Sequence, residues 1–138
     1  MLNHEIKIRV RYAETDRMGY VYYGNYATYL EVARVEMLRH LGFSYRSLED
    51  EGILLPVLDF SIRYLKPAFY DDELTIRTII PKLPGARITF NYEIYNANNE
   101  KISFAETTLV FINKATNRPS PAPDDLLTAM KPFFDLDS

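Results

Sequence analysis

Between Tyr12 and Tyr26 the chain reads Tyr12-Ala13-Glu14-Thr15-Asp16-Arg17-Met18-Gly19-Tyr20-Val21-Tyr22-Tyr23-Gly24-Asn25-Tyr26. One carboxylate, Asp16, stands in a glycine-containing stretch that leads into an apolar, helix-patterned segment. A helix N-terminus carries unpaired N–H groups and partial positive charge. Such a terminus polarises a carbonyl and stabilises the oxyanion that develops on it. A carboxylate beside it can attack that carbonyl or activate water. Transfer of an acyl group to water needs little more than these two parts.

Plainer roles compete for the same residues. An aspartate in a loop usually caps a turn. Gly19 and Gly24 can serve backbone geometry alone. Asn25 is a natural N-cap, with a side chain that can also face a substrate. Tyr20, Tyr22, Tyr23, Tyr26 and Tyr29 either line an apolar pocket or bury area at an interface, and the two are compatible. Glu31 and Arg34 lie three apart, which predicts a helical ion pair. Neither His4 nor His40 has neighbours spaced as metal ligands, so no metal site is expected. Gly42-Phe43-Ser44-Tyr45-Arg46 lacks the second glycine of a nucleophile elbow, and no phosphate-binding or dinucleotide fingerprint occurs.

The elements that must position these groups follow from periodicity. Ile6, Ile8, Val10 and Tyr12 alternate with Glu5, Lys7, Arg9 and Arg11, which predicts a half-buried strand. Residues 13–24 read as a loop. A helix is expected from Asn25 to Leu41, with Tyr26, Leu30, Ala33, Met37 and Leu41 as an apolar stripe and Gly42 ending it. Val32, Val35 and Leu38 widen that stripe, so the helix is expected to be buried on several sides. A short helix is expected over 45–52. Four strand-like runs follow, over 57–65, 73–81, 86–97 and 101–114, joined by a connector at 67–72 and turns at 81–85 and 96–99. Three prolines, Pro119, Pro121 and Pro123, precede a short terminal helix over 124–134. One strand, one long helix and four strands imply an antiparallel sheet wrapped around the helix in one domain, residues 1–138.

Composition narrows the function classes. A chain of 138 residues with 47% hydrophobic content can fold around one core. It has no cysteine, which excludes disulfides, thiolate metal sites and a cysteine nucleophile. The net charge is −3 and the basic residues are scattered, so a nucleic-acid binder is not expected. No apolar run approaches a membrane span, and residues 1–12 alternate charged with apolar types, unlike a signal peptide. A cytoplasmic location is the expectation. Of the 11 tyrosines, six lie between Tyr12 and Tyr29, which marks that segment out.

On these residues the chain resembles the 4-hydroxybenzoyl-CoA thioesterase family of hotdog-fold proteins, and its YbgC-like branch. The resemblance rests on Tyr12, Thr15-Asp16, Gly19, Val21-Tyr22, Asn25-Tyr26, Glu31 and Ala33-Arg34. It continues through Arg63-Tyr64, Pro67-Ala68 and Asp71-Asp72, and reaches Asn113. It implies an α+β hotdog, a five-stranded antiparallel sheet around one long helix, assembled as dimers or tetramers with sites at the dimer interface. It implies hydrolysis of an acyl-CoA, with CoA as the leaving part of the substrate and no bound cofactor. The family's catalytic aspartate falls on Asp16, as nucleophile or general base, and the N–H that polarises the carbonyl falls on Tyr23. Members of the branch commonly carry histidine where this chain has Tyr23.

Tyr12, Gly19, Gly24, Asn25 and Tyr26 are the expected substrate contacts, with Lys82 and Arg87 as the two charges where a relative holds the nucleotide end of CoA. Some hotdog thioesterases use a helix glutamate, which makes Glu31 the fallback catalytic carboxylate. The competing functions are a thioesterase for acyl carrier protein and a non-catalytic acyl-CoA-binding protein.

Overall fold

The computed structural model describes residues 1–135. Strand β1 (Leu2–Arg9) alternates inward Leu2, Ile6 and Ile8 with exposed Asn3, Glu5, Lys7 and Arg9. It ends earlier than its alternation suggested. Val10 is still buried, but Tyr12 falls in a 3-10 turn over Tyr12–Glu14 and is 73% exposed. The turn is closed by Glu14, whose carboxylate accepts the Arg11 N–H at 2.8 Å. That local bond outcompetes further sheet pairing.

Helix α1 (Gly24–His40) is the one long helix. It starts a residue before the expected start, with Tyr23 at the N-cap position. Asn25 therefore lies inside the first turn and cannot cap it. Its Nδ2 instead donates to the Glu14 carbonyl at 2.8 Å, tying the helix to the loop. At the other end Gly42 sits at φ +92°, Gly42 N–H donates to Arg39 O and Phe43 N–H to Leu38 O, a glycine-terminated end that satisfies two orphan carbonyls. Tyr26, Leu30, Ala33, Met37 and Leu38 are buried, but Val32 is 42% exposed. The expectation of burial on several sides thus fails for the protomer: Ala27, Thr28, Glu31 and Val32 form an open face. A short helix α2 (Tyr45–Asp50) follows, capped by Ser44, and leads into the two-residue strand β2 (Ile53–Leu54).

Strands β3 (Val57–Tyr64), β4 (Glu73–Ile80), β5 (Arg87–Tyr95) and β6 (Lys101–Val110) complete the sheet, which is antiparallel in the order β1-β4-β5-β6-β3. The long final strand breaks at Phe111, which is fully buried. A short continuation, β7 (Ile112–Asn113), pairs with β2 and with β8 (Arg118–Pro119) in a small second sheet. Two-residue strands carry too little periodicity to be read from sequence. Helix α3 (Asp124–Asp135) closes the described chain. Leu126 and Met130 of α3 join the core formed by α1 and the inner face of the sheet. No helix of the described residues is long and apolar enough to cross a membrane.

This is the hotdog architecture: one sheet curved around one buried helix. The helix packs on β1 and β4, so the inner face of β3 is left largely open.

Candidate active site

The loop between β1 and α1 is fixed by its own backbone. Thr15 bridges Val21, Tyr20 bridges Phe69, and Val21 N–H donates to Ala68 O at 2.8 Å. Asp16 N–H donates to Tyr20 O at 2.8 Å, and Gly19, at φ +80°, makes the turn that brings the two together. One carboxylate oxygen, Asp16 Oδ1, accepts the N–H groups of Met18 at 2.8 Å and Tyr20 at 3.2 Å. The other oxygen has no donor among the described residues. The turn cap therefore uses only one of the two oxygens. The cap aims the carboxylate, and Oδ2 stays open.

Asp16 lines a cavity of about 320 Å³ with Tyr20, Tyr23, Tyr26, Tyr64 and Lys66. Tyr23 stands at the start of α1, and no acceptor among the described residues takes its backbone N–H. Asp16, with one unmatched carboxylate oxygen, and Tyr23, with an unmatched backbone N–H, thus line the same hollow. The walls are aromatic: the Tyr26 and Tyr64 rings meet edge to face with centroids 5.1 Å apart, and Tyr20 meets Phe69 at 5.4 Å. Burial, reinforced by Tyr64, pushes the Tyr26 phenol up to about 12, so it stays a neutral hydroxyl near neutral pH. Gly24 has no Cβ, and one built there would meet the Tyr22 ring at 2.8 Å, so the glycine lets that ring lie across the helix start.

Glu14 was not picked out from sequence, and it organises the loop. Its carboxylate accepts Tyr29 OH at 2.7 Å and the Arg11 guanidinium at 2.8 Å. Its carbonyl accepts Tyr22 N–H at 2.8 Å and Asn25 Nδ2 at 2.8 Å. Burial acts to raise the Glu14 carboxyl, but hydrogen bonds from Arg11 and Tyr29 outweigh it and hold the group below the usual carboxylate range. The one available signal was the spacing Arg11-x-x-Glu14, which the strand alternation hid.

Other expected residues go elsewhere. Tyr12 lies beyond the 320 Å³ cavity, on the far side of Asp16, paired with Tyr70 at 5.6 Å between ring centroids. Lys82 and Arg87 flank the β4–β5 turn, at the opposite end of the eight-residue β4, about 25 Å away along the strand. Neither lines a cavity that Asp16 lines. Glu31 lies two turns into α1, exposed and outside the cavity of about 320 Å³. It does not pair with Arg34. Arg34 is only 7% exposed and its Nε donates to Tyr45 OH at 2.7 Å, because the α1–α2 seam draws the guanidinium inward.

His4 and His40 meet each other, with ring centroids 5.0 Å apart. No group of three or more metal-ligating side chains is present among the described residues. A hollow of about 630 Å³ on the outer sheet face includes Glu93 and Lys101, which pair with each other at 2.7 Å, and no helix terminus opens into it.

Residues 10–130 match the family model of the thioesterase-like superfamily. YneP of Bacillus subtilis is 38% identical over 113 residues, 82% of each chain. The acyl-CoA thioester hydrolase YbgC of Escherichia coli is 35% identical over 124 residues, 90% of this chain and 92% of its own. Among solved structures, the DHNA-CoA thioesterase of Staphylococcus aureus superposes with a TM-score of 0.91 at 36% identity, covering 99% of this chain and 94% of its own.

Proposed function

We propose a residue-level mechanism for this chain, which belongs to the thioesterase-like superfamily and is a thioester hydrolase of the hotdog fold. The substrate is an acyl-CoA. The acyl group enters the tyrosine-walled cavity, and its carbonyl oxygen accepts the Tyr23 N–H at the start of α1. The helix terminus stabilises the negative charge that grows on that oxygen. The open oxygen of Asp16 then acts in one of two ways. As a general base it takes a proton from water while the water oxygen adds to the carbonyl carbon. As a nucleophile it forms a mixed anhydride that water opens. On either route the C–S bond breaks, CoA leaves as the thiol, and the acyl group leaves as the free acid. The Asp16 cap to Met18 and Tyr20 keeps the carboxylate oriented throughout.

The single observation that carries this reading is that Asp16, with an open carboxylate oxygen, and Tyr23, with an unmatched backbone N–H, line one cavity. The protein works as a homo-oligomer. Support comes from β3 and the residue after it, which expose Leu58, Phe60, Tyr64 and Leu65 while Tyr64 and Leu65 also line the cavity. A second copy paired along β3 covers both. Dimers of this kind can pair further through the open face of α1. Lys82 and Arg87, too distant from Asp16 within one protomer, reach a site only from the partner copy.

The deciding experiment is free-thiol release from short-, long- and aromatic-acyl CoAs, with one acyl group also presented on acyl carrier protein. Wild type and Asp16→Asn are run side by side. Asparagine keeps an oxygen for the Met18 and Tyr20 bonds, so the fold is retained. Turnover should fall about 10²–10⁴-fold, the range for losing a positioned general base. A folded, fully active Asp16→Asn protein would remove Asp16 from the mechanism, and faster turnover on the carrier protein would reassign the substrate.

A further inference from the structure

Asp16 borders two hollows, not one. On one side is the cavity of about 320 Å³ with Tyr23, Tyr26 and Tyr64. On the other is a cavity of about 670 Å³ lined by Tyr12, Thr15, Asp16, Arg17, Gly19 and Tyr70. Asp16 is the one residue common to both. The two sides differ in chemistry. The smaller is walled by phenol rings, Met18 and Pro67, with β3 at its open edge, and its cation, Lys66, is paired with Glu100. The larger carries a cation, Arg17, which is exposed and has no ion pair or hydrogen bond among the described residues. Beside it stand two exposed aromatic rings, Tyr12 and Tyr70, held together at 5.6 Å. Exposed rings in contact offer a flat apolar platform, and a free guanidinium offers paired donors to a phosphate.

A thioester has two arms that meet at the reacting carbon. A residue that acts on that carbon must stand where the arms meet. We propose that Asp16 stands at the partition of a two-part substrate site, and that the outer cavity binds the phosphorylated thiol arm through Arg17 and the Tyr12–Tyr70 platform. This deepens the hydrolase reading and rests on it for the identity of the arm as CoA. Solvent access favours the assignment: the phosphates stay hydrated beside exposed Arg17, and the acyl group lies among the tyrosine rings against Tyr26 of α1. Within one protomer the arm then needs no contact with Lys82 or Arg87 at the far end of β4.

The test compares two thioesters of one acyl group, the CoA thioester and the truncated N-acetylcysteamine thioester, which lacks phosphates and nucleotide. Wild type, Arg17→Ala and Tyr70→Ala are assayed, and free CoA binding is measured by calorimetry. Arg17→Ala should raise KM for the CoA thioester about ten-fold, narrow the KM gap between the two substrates, and weaken CoA binding to a similar degree. The loss should shrink at high salt, as a screened phosphate contact must. CoA binding that ignores both substitutions overturns the assignment, as does an equal KM rise for both substrates. Failure of wild type to hydrolyse either thioester would sink the hydrolase reading alone. Arg17-dependent CoA binding would then still support the outer site.

Discussion

The two edges of the sheet are built on opposite rules. At β1 the outward side chains are Asn3, Glu5, Lys7 and Arg9, and Lys7 and Arg9 both pair with Glu73 of the neighbouring strand, at 3.4 and 3.2 Å. Charge along an edge discourages another strand from docking there. At β3 the residues aligned with the buried face of β6 are Phe60, Ile62 and Tyr64, and Phe60 and Tyr64 are exposed. Leu58 beside them, at a bulge, is 52% exposed. The reason is the position of α1, which packs mainly on β1 and β4 and meets the end of β3 through Tyr26 and Tyr64. One edge is closed by design, and the other is unfinished in a single copy. The unfinished edge is also the one whose last residues line the Asp16 cavity. Completing the sheet and completing the site are thus expected to be one event.

The comparison breaks if the two edges respond alike to substitution. The largest effect is expected from Leu58→Lys with Phe60→Lys. Two charges on the open edge should convert the proposed oligomer to monomer by light scattering and abolish most thiol release, while far-UV circular dichroism stays native. A variant that remains oligomeric and active would show that β3 is not the interface.

Next comes Glu14→Gln. It removes the charge that Arg11 and Tyr29 converge on and should cost about 2 kcal/mol in denaturant melts, the scale of one or two hydrogen bonds to a charged group. Its pH dependence has a definite sign. Because the folded Glu14 carboxyl titrates below its unfolded value of 4.5, its stabilisation is full above about pH 4.5 and fades as pH falls through the lower, folded value. The gap between wild type and Glu14→Gln should therefore close toward acid pH. A gap independent of pH would show that the charge is not what stabilises the loop.

A smaller effect is expected from Tyr64→Ala, which strips one cavity wall at the β3 end. KM for the preferred acyl-CoA should rise several-fold, and more for aromatic or long acyl groups than for acetyl. The smallest is Glu73→Ala on the guarded edge. It breaks two exposed ion pairs, and the melt should shift by less than about 1 kcal/mol, with activity preserved. A loss of activity there would place part of the site at the wrong edge.

Much of this was legible beforehand, for identifiable reasons. Alternation in Ile88, Phe90, Tyr92 and Ile94 marks β5 because a strand with one buried face has a strict period of two. Gly42 ends α1 because few other residues adopt φ +92° at no cost. Asp16 stood out because a carboxylate before a helix start is where acyl chemistry can be done. Other features were hidden because they depend on contacts between distant residues. Asn25 looked like a cap, but the Glu14 carbonyl claimed its side chain. Arg34 and Glu31 had the spacing of an ion pair, but Tyr45, eleven residues on, took the guanidinium.

The sequence by itself determined the element types, the single buried helix, the loop that holds the carboxylate and the family. Those depend on local periodicity, turn chemistry and a motif read in order along the chain. Only the tertiary structure decided that Asp16 caps its own turn through one oxygen while lining a cavity, that Tyr64 at the end of β3 and Lys66 just beyond it join that cavity, and that Lys82 and Arg87 lie a strand's length away. These are facts of register and of where one helix lies on one sheet. Residues far apart in the chain set them together, and no local pattern records the result.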